Sequence, residues 1–481
     1  MSKMIGLGKN QVPTNGHLGS MAYQDSENLS LGALKNNPAY TRDIPAGRPS
    51  YIFDFANSDQ VDARMYHQRA SSATTINKHG MIELVGENVP RITHDPDTLE
   101  CLGYLSEYET TNLIPYSSDF INHTITGLGC ASNTTDTLDP SGNFFADRLA
   151  GDGNNTQHFT SYPITVSNGT SYTFSVFVKD GTFGANSQNP YFSLLFQSGI
   201  FSNVFIQVNM SDPEGDWFVH PSATGGGVDK YPNGWYRVWV SAVCTGSNTS
   251  NMYMGLGNLN TYTLNTDSYL YVYGMQFEAD TYTPSSYIPT SNGNTKTRAR
   301  EVGYVDLGPG FGSEGTVIMD AYFTKTANVI SNSWYSTLIY QEGASGFRHG
   351  QFRSNPGGTF YYAYESSSSG SDFQKAQDIS YTHGLHSEDV NEGRHTDWES
   401  TRWKSAFGWS NTGQNAIFHS GITYSEAPSN EYERRQNQRY LYIGTFSNWG
   451  GSRYNVMAPI RKVSVYPKLL TRSQLVNLVE E

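Results

Sequence analysis

Alternating runs of β-branched and aromatic residues recur through residues 111–290 and constrain the fold more than any other feature. Residues 172–178 (YTFSVFV) and 269–277 (YLYVYGMQF) place large side chains alternately on the two faces of an extended chain. Dipeptides typical of tight hairpin turns separate such runs at Asn168-Gly169, Asp180-Gly181 and Asn233-Gly234. This pattern predicts an antiparallel β-sandwich or jelly roll.

Strands are predicted in two successive units. The first unit has predicted strands at 161–166, 172–178, 191–197, 204–208, 217–220, 235–244, 252–255 and 269–277. The second has predicted strands at 316–323, 337–340, 359–364, 404–409, 416–419, 439–443 and 460–466. A short helix is predicted at the C-terminus, because Thr471 and Gln474 have the spacing of a capping box and Leu475, Leu478 and Val479 share a face.

The predicted fold class is therefore all-β, with two antiparallel β-sandwich (jelly-roll) domains behind an irregular N-terminal docking segment, and a short C-terminal helix. Residues 1–50 are rich in Asn, Gly and Pro and low in apolar residues, so they are predicted to be a disordered leader or a segment that orders on a partner. The predicted boundaries are 1–50 for this segment, 51–110 for a hairpin-rich connecting section, 111–295 for the jelly roll and 296–481 for the second sandwich.

Composition and charge argue against several function classes. The 481 residues carry a formal net charge of −13, which disfavours binding to nucleic acid or to an anionic membrane surface. No apolar run is long enough to insert into a membrane. Cys101, Cys130 and Cys244 are odd in number and lack CxxC spacing, so neither a disulfide framework nor a zinc motif is indicated.

Catalytic motifs are also missing from the sequence, and the chain is predicted not to be an enzyme. No GxSxG, HExxH or P-loop occurs. Asp212, Glu214 and Asp216 are close in sequence, but DPEGD is typical of a turn rather than of a glycosidase carboxylate pair. A glycan depolymerase would need a repeated parallel β-helix or a carboxylate-lined cleft, and the sequence has no such repeat.

An ordered series of motifs resembles structural proteins of tailed bacteriophages. Residues 111–120 (TNLIPYSSDF), 172–179 (YTFSVFVK), 234–240 (GWYRVWV) and 269–298 (ending SSYIPT…TKTR) resemble the carbohydrate-binding-module-like jelly roll of those proteins. Residues 80–105 resemble the stretch that precedes this module in the same proteins. Residues 316–323, 403–421 and 440–479 resemble the concanavalin A/laminin-G-like sandwich that often follows it. The module's usual Trp after the Ser-Asp-Phe motif is replaced here by residues 122–124 (NHT).

This resemblance implies a virion protein exposed on the particle surface, most simply a homotrimeric tail fibre or similar appendage subunit that contacts host-surface glycans. Residues 1–50 would then dock on other virion proteins. The alternative is a capsid-decorating, head-fibre or tail-fitting structural protein without glycan binding. Localisation on the particle discriminates between the two.

Sugar binding requires aromatic faces with polar groups nearby, and six aromatic residues are candidates. They lie at predicted strand ends or in loops: Tyr191, Trp217, Tyr253, Tyr262, Trp398 and Trp449. For each, packing or a subunit contact is the competing interpretation, and the alternating Trp235 and Trp239 are predicted to be core residues.

The sequence indicates no definite cofactor, and a structural calcium ion is the candidate. Glu278 and Asp280, at the end of the last strand of the first unit, are predicted as its oxygen ligands. The alternative is a turn carboxylate that accepts backbone N–H bonds.

Overall fold

The computed structural model describes residues 49–308 except 198, and a set of shorter stretches beyond them. These stretches are 314–322, 336–343, 348–354, 360–365, 373–374, 402–410, 413–418, 423–426, 438–445, 458–471, 474–475 and 477–478. Nearly all described residues with regular structure are in antiparallel strands, which confirms the all-β prediction. The predicted docking segment lies almost entirely outside the described residues.

Two six-stranded antiparallel sheets form the first sandwich. One sheet, called the covered sheet below, contains in spatial order Gly225–Tyr231, Trp235–Val243, Ser171–Asp180, Tyr269–Ala279, Asp147–Gly151 and Leu128–Ala131. The other, called the open sheet, contains Trp217–Val219, Phe205–Asn209, Tyr191–Phe196, Asn248–Leu256, His158–Val166 and Thr124–Thr126. Sequence-distant strands are neighbours in both sheets, as in a jelly roll.

The core of this sandwich is formed by alternate side chains of both sheets. Phe174 and Phe277 of the covered sheet and Phe192, Phe196 and Met254 of the open sheet are each at most 1% exposed. Ring contacts join the layers, since the Phe196 centroid lies 6.2 Å from Phe174 and 5.9 Å from Phe277. Period-two alternation thus fixes one face of each sheet as core.

Two further sheets form the second sandwich, an eight-stranded and a seven-stranded one among the described residues. The eight-stranded sheet contains Thr423–Glu426, Gly413–Phe418, Arg402–Ser410, Gly315–Tyr322, Ala458–Tyr466, Cys101–Ser106 and Ile92–His94, with Tyr51–Asp54 also paired to Ala458–Tyr466. The seven-stranded sheet contains Met65–Gln68, Val302–Asp306, Gln438–Ile443, Ser336–Gly343, Arg348–Ser354, Phe360–Glu365 and Phe373–Gln374.

Residues 51–106, predicted as a connecting section, supply strands to both of these sheets. Tyr51 pairs with Val465, Met65 pairs with Val305, and Ser106 pairs with Ala458. The second sandwich is therefore built from stretches on either side of the first, which is inserted between the strands Cys101–Ser106 and Val302–Asp306. Three two-stranded ladders complete the described strands: Ala73–Ile76 with Ile82–Val85, Thr110–Asn112 with Lys296–Arg298, and Asn155–Thr156 with Tyr262–Thr263.

A buried network of ion pairs holds together the two chain segments that connect the first sandwich to the second. Arg298 contacts Glu107 at 3.1 Å, and Arg91 contacts Glu107 at 2.7 Å and Glu301 at 2.5 Å. Arg69 also contacts Glu301, at 3.2 Å, and all of these side chains are at most 5% exposed. Because each charge is paired and hydrogen-bonded, the network can remain ionised in the interior.

The motifs SSDF and SSYIPT are hydrogen-bonded to each other. The Tyr287 hydroxyl lies 2.7 Å from Ser117 Oγ and 2.9 Å from Ser118 Oγ. Thr290 Oγ1 donates to the Ile114 carbonyl at 2.6 Å, and Ser117 N–H donates to Thr290 Oγ1 at 3.0 Å. These hydrogen bonds thus hold the start of the jelly roll against its end.

The predicted C-terminal cap is present. Thr471 N–H donates to Gln474 Oε1 at 2.9 Å and Gln474 N–H to Thr471 Oγ1 at 3.4 Å, which is the reciprocal pattern of a capping box. Leu475 is fully buried, and Leu478 packs on the same cluster. Two short helices, Phe55–Ser58 and Phe183–Asn186, lie between strands. No helix in the described part of the chain is long and apolar enough to cross a membrane.

Candidate functional site

The outer face of the covered sheet is sealed by other parts of the chain. Phe177, Trp235 and Tyr273 project from it into a cluster with Ile82 and Tyr287. Phe177 and Trp235 are fully buried, and Tyr273 is 7% exposed. The alternating tyrosines of the strand Tyr269–Ala279 are therefore packing residues, as predicted.

Trp239 has the same role on this sheet, and its indole explains two of three consecutive glycines, Gly225 and Gly227. A Cβ atom at Gly227 would lie 3.0 Å from Trp239 Nε1, and one at Gly225 would lie 3.2 Å from the same ring. Trp239 is 3% exposed, which confirms the prediction that it is a core residue. The strand Gly225–Tyr231 was missed from sequence because glycine is depleted in ordinary strands.

The outer face of the open sheet is not covered in this way. Cross-strand partners form one row of Gln207, Ser193, Gly255, Phe159 and Thr126. The adjacent row is Phe205, Leu195, Tyr253, Ser161 and Thr124. Directly opposed side chains in such rows lie about 5 Å apart, so each row forms a continuous strip of surface.

An aromatic pair lies at the centre of this face. The rings of Phe159 and Tyr253 meet edge to face, with centroids 5.2 Å apart, and both side chains are half-buried. At one edge, Phe205 contacts Phe218 and His220 with centroid distances of 5.9 Å and 5.2 Å. Phe218 is 51% exposed, which is unusual for a ring of this size. The face thus presents two groups of rings to solvent.

Amide side chains border the central pair. Gln197 Oε1 accepts from Asn251 N–H at 2.7 Å, and Asn251 Nδ2 lies 3.5 Å from the Tyr253 hydroxyl. Gln207 is half-buried in the row of Phe159. These groups can donate and accept hydrogen bonds beside an apolar ring surface.

No outward strand position on this face carries a charge in the ranges that the structure describes. The outward positions of the three central strands are Phe159, Ser161, Pro163, Thr165, Tyr191, Ser193, Leu195, Thr249, Asn251, Tyr253 and Gly255. Leu259 bounds the face, because its side chain lies over Gly255 at 1.9 Å from where a Cβ would be. The strand residues of this face are thus aromatic, amide-rich and uncharged, and the Asp216 carboxylate lies at its edge, beside Tyr191 and Asn209.

The predicted sugar-binding residues do not all lie on this face. Tyr253 lies at the centre of the open face. Tyr191 lies at the start of its strand, with its hydroxyl donating to Asp216 Oδ2 at 3.1 Å. Trp217 and Tyr262 pack against the core, and the Tyr262 ring lies 4.8 Å from the His158 ring. Trp398 and Trp449 lie outside the described residues.

Sequence reasoning missed Phe159, Phe205 and Phe218 as members of this face. Their parity relative to core residues in the same strand is the signal that could have found them. Phe159 occupies an odd-numbered position in a strand in which even-numbered residues, such as Ile164 and Val166, are buried. Strand register across the sheet then decides which of the outward residues meet.

The predicted ion ligands lie at the C-terminal end of the strand Tyr269–Ala279, which is a central strand of the covered sheet. Glu278 is fully buried, with Ser285 N–H donating to Oε2 at 3.0 Å and the Ser285 hydroxyl donating to Oε1. Burial raises the pKa of the Glu278 carboxyl above its usual range, while the bonds from Ser285 act in the opposite direction. Asp280 has left-handed backbone, φ 58°, and its carbonyl accepts from the Tyr108 hydroxyl at 2.9 Å. Calcium binding here stays a prediction.

The acidic stretch DPEGD forms the turn that its composition predicts. Gly215 N–H donates to Asp212 Oδ1 at 3.2 Å, and Asp216 N–H donates to the Asp212 carbonyl at 3.0 Å. The Tyr236 hydroxyl donates to Glu214 at 3.0 Å. These carboxylates are thus engaged in local hydrogen bonds.

Comparisons with known proteins were made at three levels. No family model and no curated protein matches the chain. Among solved structures, it is similar to a carbohydrate-binding module of the Ruminococcus gnavus IT-sialidase in complex with α2,3-sialyllactose. The identity is 14%, the match covers 35% of this chain and 83% of that one, and the TM-score is 0.25.

Two longer matches were also found. The mouse laminin α1 domains LG4-5 are 11% identical, with 70% of this chain and 90% of that one covered and a TM-score of 0.21. The tandem CBM22 domains of Paenibacillus barcinonensis Xyn10C are 9% identical, with 75% and 98% covered and a TM-score of 0.22. Values of this size say nothing about function, so the candidate site rests on its own geometry: an uncovered, neutral sheet face centred on Phe159 and Tyr253.

Proposed function

We propose that the open face binds a neutral glycan, and that the chain is a structural subunit of a phage appendage, most simply a tail fibre. The aromatic pair Phe159 and Tyr253 on an uncovered sheet carries the glycan part of this proposal. The ordered sequence motifs that resemble phage virion proteins support the appendage part. No catalytic step is proposed.

The chemistry of the face fits a sugar better than a protein core or a charged ligand. Pyranose rings have apolar C–H faces that pack on aromatic rings, while their hydroxyl groups need donors and acceptors at the rim. Tyr253 and Phe159 supply the rings, and Gln197, Asn251 and Gln207 supply the amides. Because the outward strand positions carry no charge, an uncharged sugar is favoured over an acidic one.

A single site of this kind is shallow, and weak binding is expected from it. A fibre that presents several copies raises the overall affinity through effective concentration, without any new contact. Homotrimer formation and docking through residues 1–50 are parts of the same proposal. In this arrangement the jelly roll contacts the host surface.

The test of glycan binding is an array of neutral and acidic host-surface glycans probed with the full chain and with Tyr253→Ala. We expect binding to neutral glycans that falls at least about tenfold in the variant, equivalent to about 1.4 kcal/mol. Thr165→Ala is the matched control, because Thr165 is exposed on the same face at its far end. Equal binding by all three proteins would contradict the proposed site.

Imaging of the protein on the particle tests the appendage part separately. Density in a tail fibre supports the proposal. Density on the capsid shell would instead support the decorating-protein alternative, whatever the array shows.

A further inference from the structure

In the part of the chain that the structure describes, one group of three potential metal ligands has all its ligand atoms within 4.8 Å of one another: Asp59, His94 and Cys101. The three come from separate places in the second sandwich. His94 ends the strand Ile92–His94, Cys101 begins the strand Cys101–Ser106, and Asp59 follows the helix Phe55–Ser58. From this geometry we propose that these residues form a zinc-type metal site.

The distances fit a tetrahedral ion. His94 Nε2 lies 3.2 Å from Asp59 Oδ1, and Cys101 Sγ lies 3.9 Å from the same oxygen. Usual zinc bond lengths of about 2.0–2.3 Å require separations of about 3.3 Å between N and O ligands and about 3.6 Å between S and O ligands. Cys101 Sγ and His94 Nε2 lie within 4.8 Å of each other, so small shifts of the exposed Asp59 and the half-buried Cys101 side chains would close the site around an ion. One coordination position would remain for water.

The hydrogen bond at the other ring nitrogen favours the metal-binding tautomer of His94. Its Nδ1 lies 3.1 Å from the carbonyl of Ile76, so a proton on Nδ1 donates to that oxygen. The lone pair of Nε2 then faces the Asp59 carboxylate, and two acceptors in contact need a proton or a metal ion between them. A backbone carbonyl on the distal nitrogen is the usual partner of a ligating histidine.

The backbone holds these ligands in place before any ion binds. His94 and Cys101 are directly paired across a hairpin, at a register shift between Thr93 and His94. Asp59 caps the short helix in left-handed conformation, φ 52°, with its N–H donating to the Phe55 carbonyl. His94 is buried, whereas the Asp59 side chain is 48% exposed, so an ion can enter from solvent.

Neighbouring groups leave the site electrostatically open to a cation. Arg461 donates to the Cys101 carbonyl at 3.3 Å, and its charge is paired with Glu100 at 2.7 Å. A metal ion would bind the thiolate form of Cys101 and release the thiol proton into the buffer.

The experiment uses the full chain with Zn²⁺ in calorimetry and with Co²⁺ in absorption spectroscopy. We expect one Zn²⁺ per chain, and with Co²⁺ a thiolate-to-metal charge-transfer band with the intense visible bands of tetrahedral cobalt. Cys101→Ser should abolish the charge-transfer band. Cys130→Ser is the control, because Cys130 is also a half-buried free thiol but lies in the jelly roll.

Asp59→Asn keeps the proposal testable if Cys101→Ser fails to fold. Asparagine tolerates left-handed backbone, and Asp59 is exposed, so this variant should fold while it binds Zn²⁺ at least tenfold more weakly. Absence of the charge-transfer band in the wild type would overturn the proposal. So would an equal band in Cys101→Ser, or unchanged Zn²⁺ affinity in Asp59→Asn.

Discussion

Both sheets of the jelly roll are built from strands with alternating side chains, but the outer face of one is covered by other segments and the outer face of the other is open to solvent. On the covered sheet, Phe177 is fully buried beneath residues such as Ile82 and Tyr287. On the open sheet, Phe159 stays half-buried beside Tyr253. An outward aromatic residue is therefore a structural or a binding residue according to what the rest of the chain places over it.

The segments that cover one sheet are fixed to it by specific polar bonds. Trp235 Nε1 donates to the Leu138 carbonyl at 2.9 Å, and Arg237 donates to the Ser285 carbonyl at 2.8 Å. Ser285 and Ser286 in turn join the buried network through Arg298. Covering this sheet and joining the two sandwiches are thus done by the same residues, which leaves the open sheet available for a ligand.

The largest effect in this comparison is expected at Arg298. Arg298→Ala leaves Glu107 buried with fewer partners and removes bonds to Ser285, Ser286 and the Tyr108 carbonyl. We expect the free energy of unfolding, measured in urea, to fall by about 3–5 kcal/mol, toward the upper end.

Arg148→Ala is the control for that measurement. Arg148 is 40% exposed and lies 3.5 Å from Asp136, so its loss should cost at most about 1 kcal/mol. Equal losses in the two variants would show that the network does not hold the joint.

A matched pair of phenylalanines tests the comparison directly. Phe177→Ala should lower the free energy of unfolding by about 3–4 kcal/mol, because it opens a cavity between the covered sheet and its cover. Phe159→Ala should cost about 1 kcal/mol in the same urea measurement, because that ring is only partly removed from water. A larger loss at Phe159 than at Phe177 would contradict the assignment of open and covered faces.

The smallest effect is expected at Glu278, where Gln resembles the protonated carboxyl. Since the folded pKa is raised, this group's contribution to stability is complete below its unfolded pKa and is lost as pH rises through the folded value. Glu278→Gln should remove this slope and change stability by less than about 1 kcal/mol at acid pH. The check is the urea midpoint as a function of pH, with the exposed Glu83→Gln as the control.

The same variant tests the predicted calcium ion. A bound ion would raise the thermal midpoint of the wild type on addition of Ca²⁺ and would not do so in Glu278→Gln. An unchanged wild-type midpoint would leave the hydrogen bonds from Ser285 as the role of this carboxylate.

Much of the strand pattern could be predicted because alternation is local. The structure has Tyr269–Ala279 and Ser171–Asp180 where runs at 269–277 and 172–178 were predicted. The pairing of Tyr51–Asp54 with Ala458–Tyr466 could not be predicted, because nothing local records which distant strand supplies a partner. The same limit hid the cluster of Asp59, His94 and Cys101, since their spacing matches no zinc motif.

Of the candidate site, sequence identified Tyr253 but not its partners. Tyr253 and Phe159 are almost a hundred positions apart in the chain and meet only through the pairing of Asn248–Leu256 with His158–Val166. Trp217 and Tyr262 have the same aromatic character, yet they pack on the core. Residue type alone therefore did not separate ring surfaces that face solvent from those that fill space.

The sequence by itself determined the all-β class, the position of most strands in the jelly roll, and the capping box at Thr471, because each depends on residues within a few positions of one another. Only the tertiary structure decided which sheet face is covered, how residues 51–106 join the second sandwich, and where Arg298, Glu107 and Glu301 meet. A two-residue period indicates only that a strand has two different faces. What lies against each face depends on segments that the chain brings back from a distance.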